Sequence, residues 1–203
     1  MGVGCPRGGS GGVVARLRYA RDMASGYHIA LLRGVNVGGK NRLAMEDLRG
    51  LVLEAGGAAP RTYIQSGNVV FEATAAAAKR VPGVLRSLLA ERCGVNSPVV
   101  VRSAMELAAV AEGVPFRGKM ADPASLHVMF LADRPTKARA GALDPDRSPG
   151  DAFALVGREV YLHLPNGVAR SKLTNAYFDS TLGTVSTGRN WRTVQKLLGM
   201  CAA

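Results

Sequence analysis

The chain has 203 residues, of which 47% are hydrophobic and 20% charged, and its formal net charge is +11. This length suits one large domain or two small ones, and the composition is typical of a folded protein rather than a disordered one. No apolar run in the sequence reaches the ~18 residues that a membrane-spanning helix needs. The three cysteines, Cys5, Cys93 and Cys201, form no C-x-x-C pair, which favours a reducing cytoplasm over a disulfide framework.

The first 22 residues differ from the rest of the chain. They are rich in glycine and arginine and show no sustained periodicity. Because Met23 lies four residues before the first predicted strand, we expect this segment to be a flexible tail or the product of a start codon assigned too far upstream. The segment carries four arginines and one aspartate, which leaves a net charge of +8 on the rest. This charge favours polyanionic partners, although a basic surface often serves solubility alone.

A first alternation of strand and helix patterns covers residues 23–103. The predicted elements are a strand at 27–33, a helix from Met45 to Gly56-Gly57, a hairpin at 61–65 and 68–73, a helix at 75–92 and a strand at 97–102. The order β-α-β-β-α-β is that of the ferredoxin-like fold, also called the α-β plait.

A similar order recurs after a connector at 104–124, which begins as a helix. The predicted elements are a strand at 126–132, a short helix at 135–141, a hairpin at 152–156 and 160–164, a helix at 171–182, a strand at 184–187 and a final helix at 191–198. We therefore predict an α+β protein with two ferredoxin-like halves in tandem, at 23–103 and 125–203, the second of which has a C-terminal helix.

A glycine-rich loop at 33–41 follows the first predicted strand. Its backbone N–H groups could surround an anion. Gly34, Gly39 and Lys40 fit the phosphate-loop pattern G-x-x-x-x-G-K-[ST], but Asn41 stands where a Mg²⁺-binding hydroxyl is needed. A phosphate-loop enzyme also needs parallel strands, whereas a tight hairpin joins antiparallel ones. The sequence thus predicts an anion site and argues against nucleotide hydrolysis.

Three further segments carry related chemistry. Residues 65–68, Gln-Ser-Gly-Asn, place amide and hydroxyl groups at a hairpin tip, although the same residues are good turn formers. Ser171 is a predicted helix cap, and its neighbours Arg170 and Lys172 oppose the helix dipole unless an anion or solvent compensates them.

The third segment is Thr187-Gly-Arg-Asn-Trp191. Thr187 or Asn190 can cap the helix that follows, and Arg189 can donate two parallel hydrogen bonds to a phosphate or carboxylate. Trp191 can pack or stack, and we favour a core position for it. His28, His127 and His163 lie on predicted strands, His28 and His127 at equivalent places in the two halves. No Cys, His or carboxylate spacing suggests a metal ligand set, so neither a metal nor a cofactor is predicted.

These segments together resemble a bacterial family called domain of unknown function 1697. The resemblance rests on Leu-Arg-Gly-Val-Asn-Val-Gly-Gly-Lys-Asn at 32–41, Tyr-Ile-Gln-Ser-Gly-Asn-Val-Val-Phe at 63–71, Ser-Lys-Leu-Thr-Asn at 171–175, and Thr-Gly-Arg-Asn-Trp at 187–191 with Thr-Val-Gln-Lys-Leu at 193–197. It covers about Gly26 to Met200 and implies a pair of ferredoxin-like halves. It implies no activity, substrate or catalytic residue.

Two functions of different class remain open at this point. The first, which we favour narrowly, is binding of a phosphate-bearing ligand, with nucleic acid as the leading candidate. The second is an enzyme acting on a small phosphorylated or carboxylated metabolite, with Lys40, Lys172 and Arg189 as electrostatic stabilisers. A purely structural role for the motifs is a third possibility. The candidate ligand-binding residues are Arg33, Asn36, Gly38, Gly39, Lys40, Asn41, Gln65, Ser66, Asn68, Ser171, Lys172, Arg189, Asn190 and Trp191.

The two classes differ in what they require of the fold. Convergence of the motifs in one pocket would favour a small-molecule enzyme, and their spread over an open sheet face would favour nucleic acid. In either case, we expect Lys40→Ala and Arg189→Ala to fold normally and to lose ligand binding.

Overall fold

The computed structural model describes residues 26–116 and 122–202. The predicted tail at residues 1–22, with Cys5, lies outside them. The described residues form an α+β protein with two four-stranded antiparallel sheets and six α-helices.

The first sheet has the strand order β2-β3-β1-β4. Its elements and the helix that follows it are β1 (Tyr27–Leu32), α1 (Met45–Glu54), β2 (Ala58–Tyr63), β3 (Asn68–Glu72), α2 (Ala75–Cys93), β4 (Val99–Ser103) and α3 (Ala104–Glu112). We call this set the first unit.

The second sheet has the corresponding strand order β6-β7-β5-β8. Its elements are β5 (Leu126–Leu131), α4 (Lys137–Gly141), β6 (Ala152–Val156), β7 (Glu159–His163), α5 (Asn175–Leu182), β8 (Ser186–Asn190) and α6 (Trp191–Cys201). We call this set the second unit.

The element types agree with the prediction, whereas several of the boundaries do not. The strand predicted at 61–65 is β2, which begins three residues earlier, at Ala58. Helix α5 begins at Asn175 rather than at Ser171, because the Thr174 side chain accepts from the Tyr177 N–H and caps the helix there. The strand predicted at 184–187 is β8, at Ser186–Asn190, and it leads directly into α6.

The side chains pack in three hydrophobic clusters. Helices α1 and α2 cover the outer face of the first sheet, with Leu48 and Phe71 fully buried. Helices α3 and α6 form one shared core with the inner faces of both sheets, around Phe130 and Trp191. Helix α5 covers part of the outer face of the second sheet through Phe178. The two units therefore share a core and are not independent of each other.

The two units repeat each other in register as well as in order. In the first sheet, Ile29 on β1 lies opposite Arg102 on β4. In the second sheet, Val128 on β5 lies opposite Arg189 on β8 at the corresponding positions. The next residue of each edge strand caps the following helix: Ser103 caps α3 and Asn190 caps α6. The central strands β1 and β5 and the edge strands β4 and β8 thus correspond residue by residue.

Arg102 and Arg189 are equivalent residues that bridge the units in opposite directions. Arg102 reaches from β4 to the end of β5, where its Nη2 donates to the Leu131 carbonyl at 2.6 Å. Arg189 reaches from β8 to the end of β1, where its Nη2 donates to the Leu32 carbonyl, also at 2.6 Å. Each guanidinium therefore joins its own edge strand to the central strand of the other sheet. We call these contacts the reciprocal arginine bridges.

The bridges differ in the residue that accepts from Nε. Arg102 Nε donates to the Glu159 carboxylate at 2.8 Å, and Glu159 is the first residue of β7. Arg189 Nε donates to the Asn68 amide oxygen at 2.5 Å, and Asn68 is the first residue of β3. One buried arginine thus has a carboxylate partner, whereas the other has a neutral amide at the equivalent position.

The burial of Arg189 changes the expectation that Arg189→Ala folds normally. The side chain donates to Asn68, to the Thr187 hydroxyl and to carbonyls of both units, so its removal leaves buried acceptors without donors. We expect Arg189→Ala to lower the free energy of unfolding by at least ~3 kcal/mol. Urea denaturation measures this, and Arg192→Ala on the exposed side of α6 is the control, with a change within about 0.5 kcal/mol. Equal stability of the two variants would show that the Arg189 bridge is dispensable.

Removal of Arg102 leaves an uncompensated carboxylate. The Arg102 side chain is 1% exposed and Glu159 is 15% exposed, so Arg102→Ala strands a largely buried charge. We expect a loss of about 3–5 kcal/mol of unfolding free energy. The control is Arg92→Ala, which removes an exposed ion pair with Glu54 and is expected to cost less than about 1 kcal/mol. A smaller loss for Arg102→Ala than for Arg92→Ala would contradict the role given to the bridge.

Candidate functional site

The glycine-rich loop folds back on itself as a small turn. Gly38 and Gly39 have φ values of 58° and 75°, which a two-residue hairpin turn requires and glycine adopts without strain. Val37 and Lys40 form an isolated β-bridge on either side of them, and the Lys40 N–H donates to the Val37 carbonyl at 3.1 Å. The turn places the Lys40 side chain in solvent, away from the strand ends.

The two asparagines of this loop brace it. Both have positive φ, which asparagine tolerates better than most residues. The Asn36 amide donates to the carbonyls of Leu43 and Gln65, and Asn41 donates to the Gly34 carbonyl. These bonds fix the loop against the β2–β3 turn.

The loop does not have the geometry of a phosphate loop. Such a loop leads directly into a helix whose N–H groups point at the phosphate. Helix α1 instead begins at Met45, beyond the turn, and its N-cap Ala44 makes no side-chain capping bond. The Asn36 N–H donates to the Asn41 carbonyl, so that donor also closes the loop on itself.

Arg33 connects the start of this loop to the second unit. Its Nη1 donates to the Asp179 carboxylate at 2.5 Å and to the Ser186 carbonyl at 3.0 Å. Asp179 Oδ1 in turn accepts from the Ser186 hydroxyl and backbone N–H. The bonds that Arg33 donates from its side chain to described residues all start from Nη1, which leaves Nη2 and Nε as donors for another molecule. The Arg33 side chain is 31% exposed.

The β2–β3 turn is fixed by its close approach to β1 and by Asn68. A Cβ added at Gly67 would lie 2.6 Å from the Leu32 Cβ, so this position admits only glycine without rearrangement. Asn68 is fully buried, and its amide donates to the Tyr63 carbonyl and the Ser66 hydroxyl. Gln65 is exposed, and its carbonyl accepts from Asn36.

The motif around Arg189 is largely buried. Of the two predicted caps, Thr187 and Asn190, it is Asn190 that caps α6, by accepting from the Thr193 N–H at 2.8 Å. Trp191 is 6% exposed within the shared core, which confirms the predicted core position and leaves no face for base stacking. The Arg189 guanidinium donates hydrogen bonds to acceptors within the protein. It could form the predicted two parallel hydrogen bonds to a ligand only if these internal bonds were broken.

The Ser171 segment lies outside the helix that it was predicted to cap. The Ser171 hydroxyl accepts from the Leu173 N–H within a loop turn. Lys172 is exposed, and its N–H donates to the Ser148 hydroxyl. The conflict between these cations and a helix dipole therefore does not arise at Ser171, because the helix starts at Asn175.

A cavity of about 520 Å³ lies where the loops of the first unit meet the outer face of the second sheet. We call it the junction pocket. Its polar lining consists of Arg33, Ser66, His127, Asn175, Thr187, Arg189, Asn190 and Thr193. Its apolar lining includes Val35, Val37, Ile64, Met129, Leu162, Leu164, Val168 and Leu173. A largely apolar cavity with a few convergent polar groups, at the interface of two units, is typical of a small-molecule site.

The structure brings some of the predicted site residues together here and not others. Arg33, Ser66, Arg189 and Asn190 line the junction pocket. Asn36, Gly39 and Gln65 line a separate, shallow depression on the outer side of the glycine-rich loop. The remaining predicted residues line neither: Gly38, Lys40, Asn41, Asn68, Ser171, Lys172 and Trp191.

Several lining residues were missed in the sequence. His127 was predicted to lie on a strand at a place equivalent to that of His28, and the structure places the two as the second residues of β5 and β1. Burial lowers the pKa of His127, so its imidazole favours the neutral form. Ile64 and Val168 carry no polar group, and only their exposure in the folded chain, 52% and 58%, draws attention to them.

The electrostatics of the pocket follow from the second arginine bridge. Burial lowers the pKa of Arg189 to about 10, and no carboxylate opposes this effect. For Arg102, burial also lowers the pKa, but Glu159 acts in the opposite direction. Two arginines line the junction pocket, and no carboxylate of the described residues does so. Asp179 pairs with Arg33 beside it, which leaves one positive charge in excess.

The first unit has a cavity in the equivalent place, with different charges. It measures about 600 Å³ and is lined by His28, Arg102, Glu106 and Arg158, among others. Arg158 Nη2 donates to Glu106, so this cavity contains an ion pair of its own. At the equivalent positions the junction pocket has Thr193 in place of Glu106. The two cavities thus lie at equivalent places, and among the described residues carboxylates line only the cavity of the first unit.

Other classes of site have no support in the described part of the chain. Residues 26–116 and 122–202 contain no group of three His, Cys, Asp or Glu side chains placed to hold a metal ion. Within the same ranges, no helix is long and apolar enough to cross a membrane.

Comparison with known proteins identifies a family and a fold. A conserved bacterial protein, SP0830 from Streptococcus pneumoniae, has a similar structure, with a TM-score of 0.61 and 21% sequence identity over 86% of this chain and 98% of that one. The search of curated proteins gave no match. The model of a family of proteins of unknown function, DUF1697, matches residues 26–161, which include the glycine-rich loop and the β2–β3 turn but not the Arg189 motif. The chain belongs to the DUF1697 family.

Proposed function

We propose that the protein binds a small organic anion in the junction pocket. The observation that carries the proposal is the contrast between the two bridges: both arginines line a cavity, but Arg102 has the Glu159 carboxylate as a partner, whereas Arg189 has only neutral acceptors. A buried cation without a counter-charge is costly, and an anion in the adjoining cavity reduces that cost. The positive charge of Arg189 attracts the anion electrostatically, without a direct hydrogen bond to it.

Arg33 is the direct anion contact in this proposal. Its Nη1 is held by Asp179 and Ser186, which orients the guanidinium, and Nη2 and Nε face no bonded partner among the described residues. A guanidinium fixed at one nitrogen loses little freedom when the others bind a carboxylate or phosphate. The Ser66 hydroxyl and the Asn190 side chain, which also line the pocket, supply further polar contacts.

Nucleic acid is the weaker candidate on this geometry. The net charge of +11 supports it, as do exposed cations such as Lys40, Lys172 and Arg192. However, recognition of single strands by a sheet needs an open face with aromatic side chains. Helices α1 and α2 cover one face of the first sheet, and the shared core covers the other. The part of the second sheet's outer face that α5 leaves uncovered lines the junction pocket, so it is not an open surface.

The fold proposed with this function is a tandem of ferredoxin-like halves. The order β-α-β-β-α-β and the sheet order β2-β3-β1-β4 support it for the first unit, and the matching registers support it for the second. We infer that α3, in the segment predicted as a connector, belongs to the first unit in the way that α6 belongs to the second.

Charge-matched probe pairs test the proposal. Hexanoate and hexanol have similar size and differ in charge, as do benzoate and benzamide. We expect isothermal titration calorimetry to show saturable binding of each anion and at least tenfold weaker binding of its neutral counterpart. Equal affinity within both pairs would overturn the proposal.

Asn68→Asp tests the role of the uncompensated Arg189. The change preserves the size of the side chain and gives Arg189 the carboxylate that Arg102 already has, while it removes the amide donor to the Tyr63 carbonyl and the Ser66 hydroxyl. It removes the excess positive charge at an effective distance of about 8 Å, worth ~2 kcal/mol at a dielectric constant of about 20, so benzoate should bind at least tenfold more weakly. Gln195→Glu, which adds a negative charge on the exposed side of α6, is the matched control and should leave the affinity unchanged.

Arg33→Gln tests the direct contact, with Arg192→Gln as its control. We expect Arg33→Gln to abolish benzoate binding and Arg192→Gln to retain it. A single-stranded RNA titration at low and physiological salt accompanies these variants. RNA binding that weakens in Asn68→Asp, with no binding of small anions, would replace this proposal with the nucleic-acid one.

A further inference from the structure

We propose further that the ligand is amphipathic: a carboxylate or phosphate monoester with an aliphatic or aromatic body that lies under an apolar rim. The rim consists of Val37, Ile64 and Val168. This inference rests on the proposed function, because it assigns the anionic group to Arg33 and the body to the apolar part of the same pocket. It adds the chemical class of the ligand.

Ile64 supplies the first observation. Its φ is +47°, a region that β-branched residues rarely occupy, and it is a residue of the β2–β3 turn. Its side chain is nevertheless 52% exposed at the pocket mouth. Backbone strain of this kind persists only where the surrounding structure enforces it. The backbone strain and the exposure of this apolar side chain both lower the stability of the folded protein without ligand. The exposed side chain does not compensate for this by packing in the core.

The surrounding bonds explain how Ile64 is held there. The Gln65 carbonyl accepts from Asn36, and the Ser66 and Gly67 carbonyls accept from Arg189. The turn is thus fixed on both sides of its tip, by the glycine-rich loop and by the second unit. The same bonds that complete the second arginine bridge therefore also present Ile64 to the pocket.

Val37 and Val168 supply the second observation. They are 62% and 58% exposed, and they lie on two further loops, the glycine-rich turn and the segment between β7 and α5. Both line the junction pocket together with Ile64. Three exposed aliphatic side chains from three separate loops thus surround one cavity. Below them, Met129, Leu162 and Leu173 form an apolar wall.

The distribution of polar and apolar groups sets the ligand class. Arg33 and Arg189 lie at the ends of strands β1 and β8, while the rim lies on loop tips. Inorganic phosphate would satisfy the charged residues and leave the rim exposed to water. A ligand with an apolar body satisfies both, since burial of apolar surface stabilises the complex in proportion to the area covered.

A chain-length series tests the inference on the full-length protein. The probes are acetate, butanoate, hexanoate and octanoate, measured by isothermal titration calorimetry at constant ionic strength. We expect affinity to rise about three- to fourfold for each methylene that enters the pocket. Affinity that does not change with chain length, or inorganic phosphate that binds as tightly as octanoate, would overturn the inference.

Ile64→Asn and Ile64→Gly test the rim itself. Asparagine and glycine both tolerate positive φ, so we expect both variants to fold with unchanged or greater resistance to urea. Each should keep the wild-type affinity for acetate and bind octanoate at least fivefold more weakly. Leu53→Asn is the matched control, because Leu53 is 54% exposed on α1 and does not line the pocket. Unchanged octanoate affinity in both Ile64 variants would assign the apolar body elsewhere.

Failure of this inference and failure of the proposed function give different results. If octanoate and octanol bind equally well, the anion site is wrong. If octanoate binds better than octanol but no better than acetate, the anion site stands and the apolar rim is not part of it.

Discussion

The reciprocal arginine bridges are the interaction on which the rest of the structure depends. Each guanidinium carries hydrogen bonds from an edge strand of one sheet to the last residue of the central strand of the other, at Leu131 and Leu32. A planar group with five donors can satisfy several carbonyls at once, which lysine cannot do. The shared core around α3 and α6 holds the units together, and the bridges fix how they face each other. Because the glycine-rich loop and the β2–β3 turn both adjoin the Arg189 bridge, the junction pocket depends on the same contact.

The two units are equivalent in backbone and different in charge. Beside Arg189, Asn68 and Thr193 occupy the positions that Glu159 and Glu106 occupy beside Arg102. The loop carbonyl that accepts from Arg189 belongs to Gly67, and the one that accepts from Arg102 belongs to Arg158. Glu159 and Glu106 form ion pairs with Arg102 and Arg158, respectively, at and beside the first unit's cavity. In the junction pocket, the corresponding positions are neutral and the arginine remains. The two units thus have the same topology and differ in a few side chains. These side chains make the surroundings of Arg102 an ion-paired bridge and those of Arg189 a candidate anion site.

Much of the fold could be predicted from the sequence because it follows from local patterns. The short apolar runs of β1 and β5, the helical spacing of α1 and α2, the two hairpins and the capping role of Asn190 depend on residues close together in the chain. The predicted start of α5 was wrong because two local signals compete there. Ser171 and Thr174 are both good caps, and the bond from the Tyr177 N–H selects Thr174. The glycine-rich loop has the composition of an anion cradle, but Gly38 and Gly39 turn it back before the helix begins.

The candidate site was only partly predictable, since its properties arise between distant residues. The sequence by itself determined the two α+β units, the conformations that Gly67, Asn36 and Asn41 permit, and the family to which the chain belongs. Only the tertiary structure decided that Arg189 is buried and bonded to Asn68 at a separation of 121 residues, that Arg33 is held by Asp179, and that Ile64, Val37 and Val168 meet at one cavity. The physical reason is that burial, charge compensation and cavity shape depend on which surfaces meet, and local periodicity does not specify how two folded units dock.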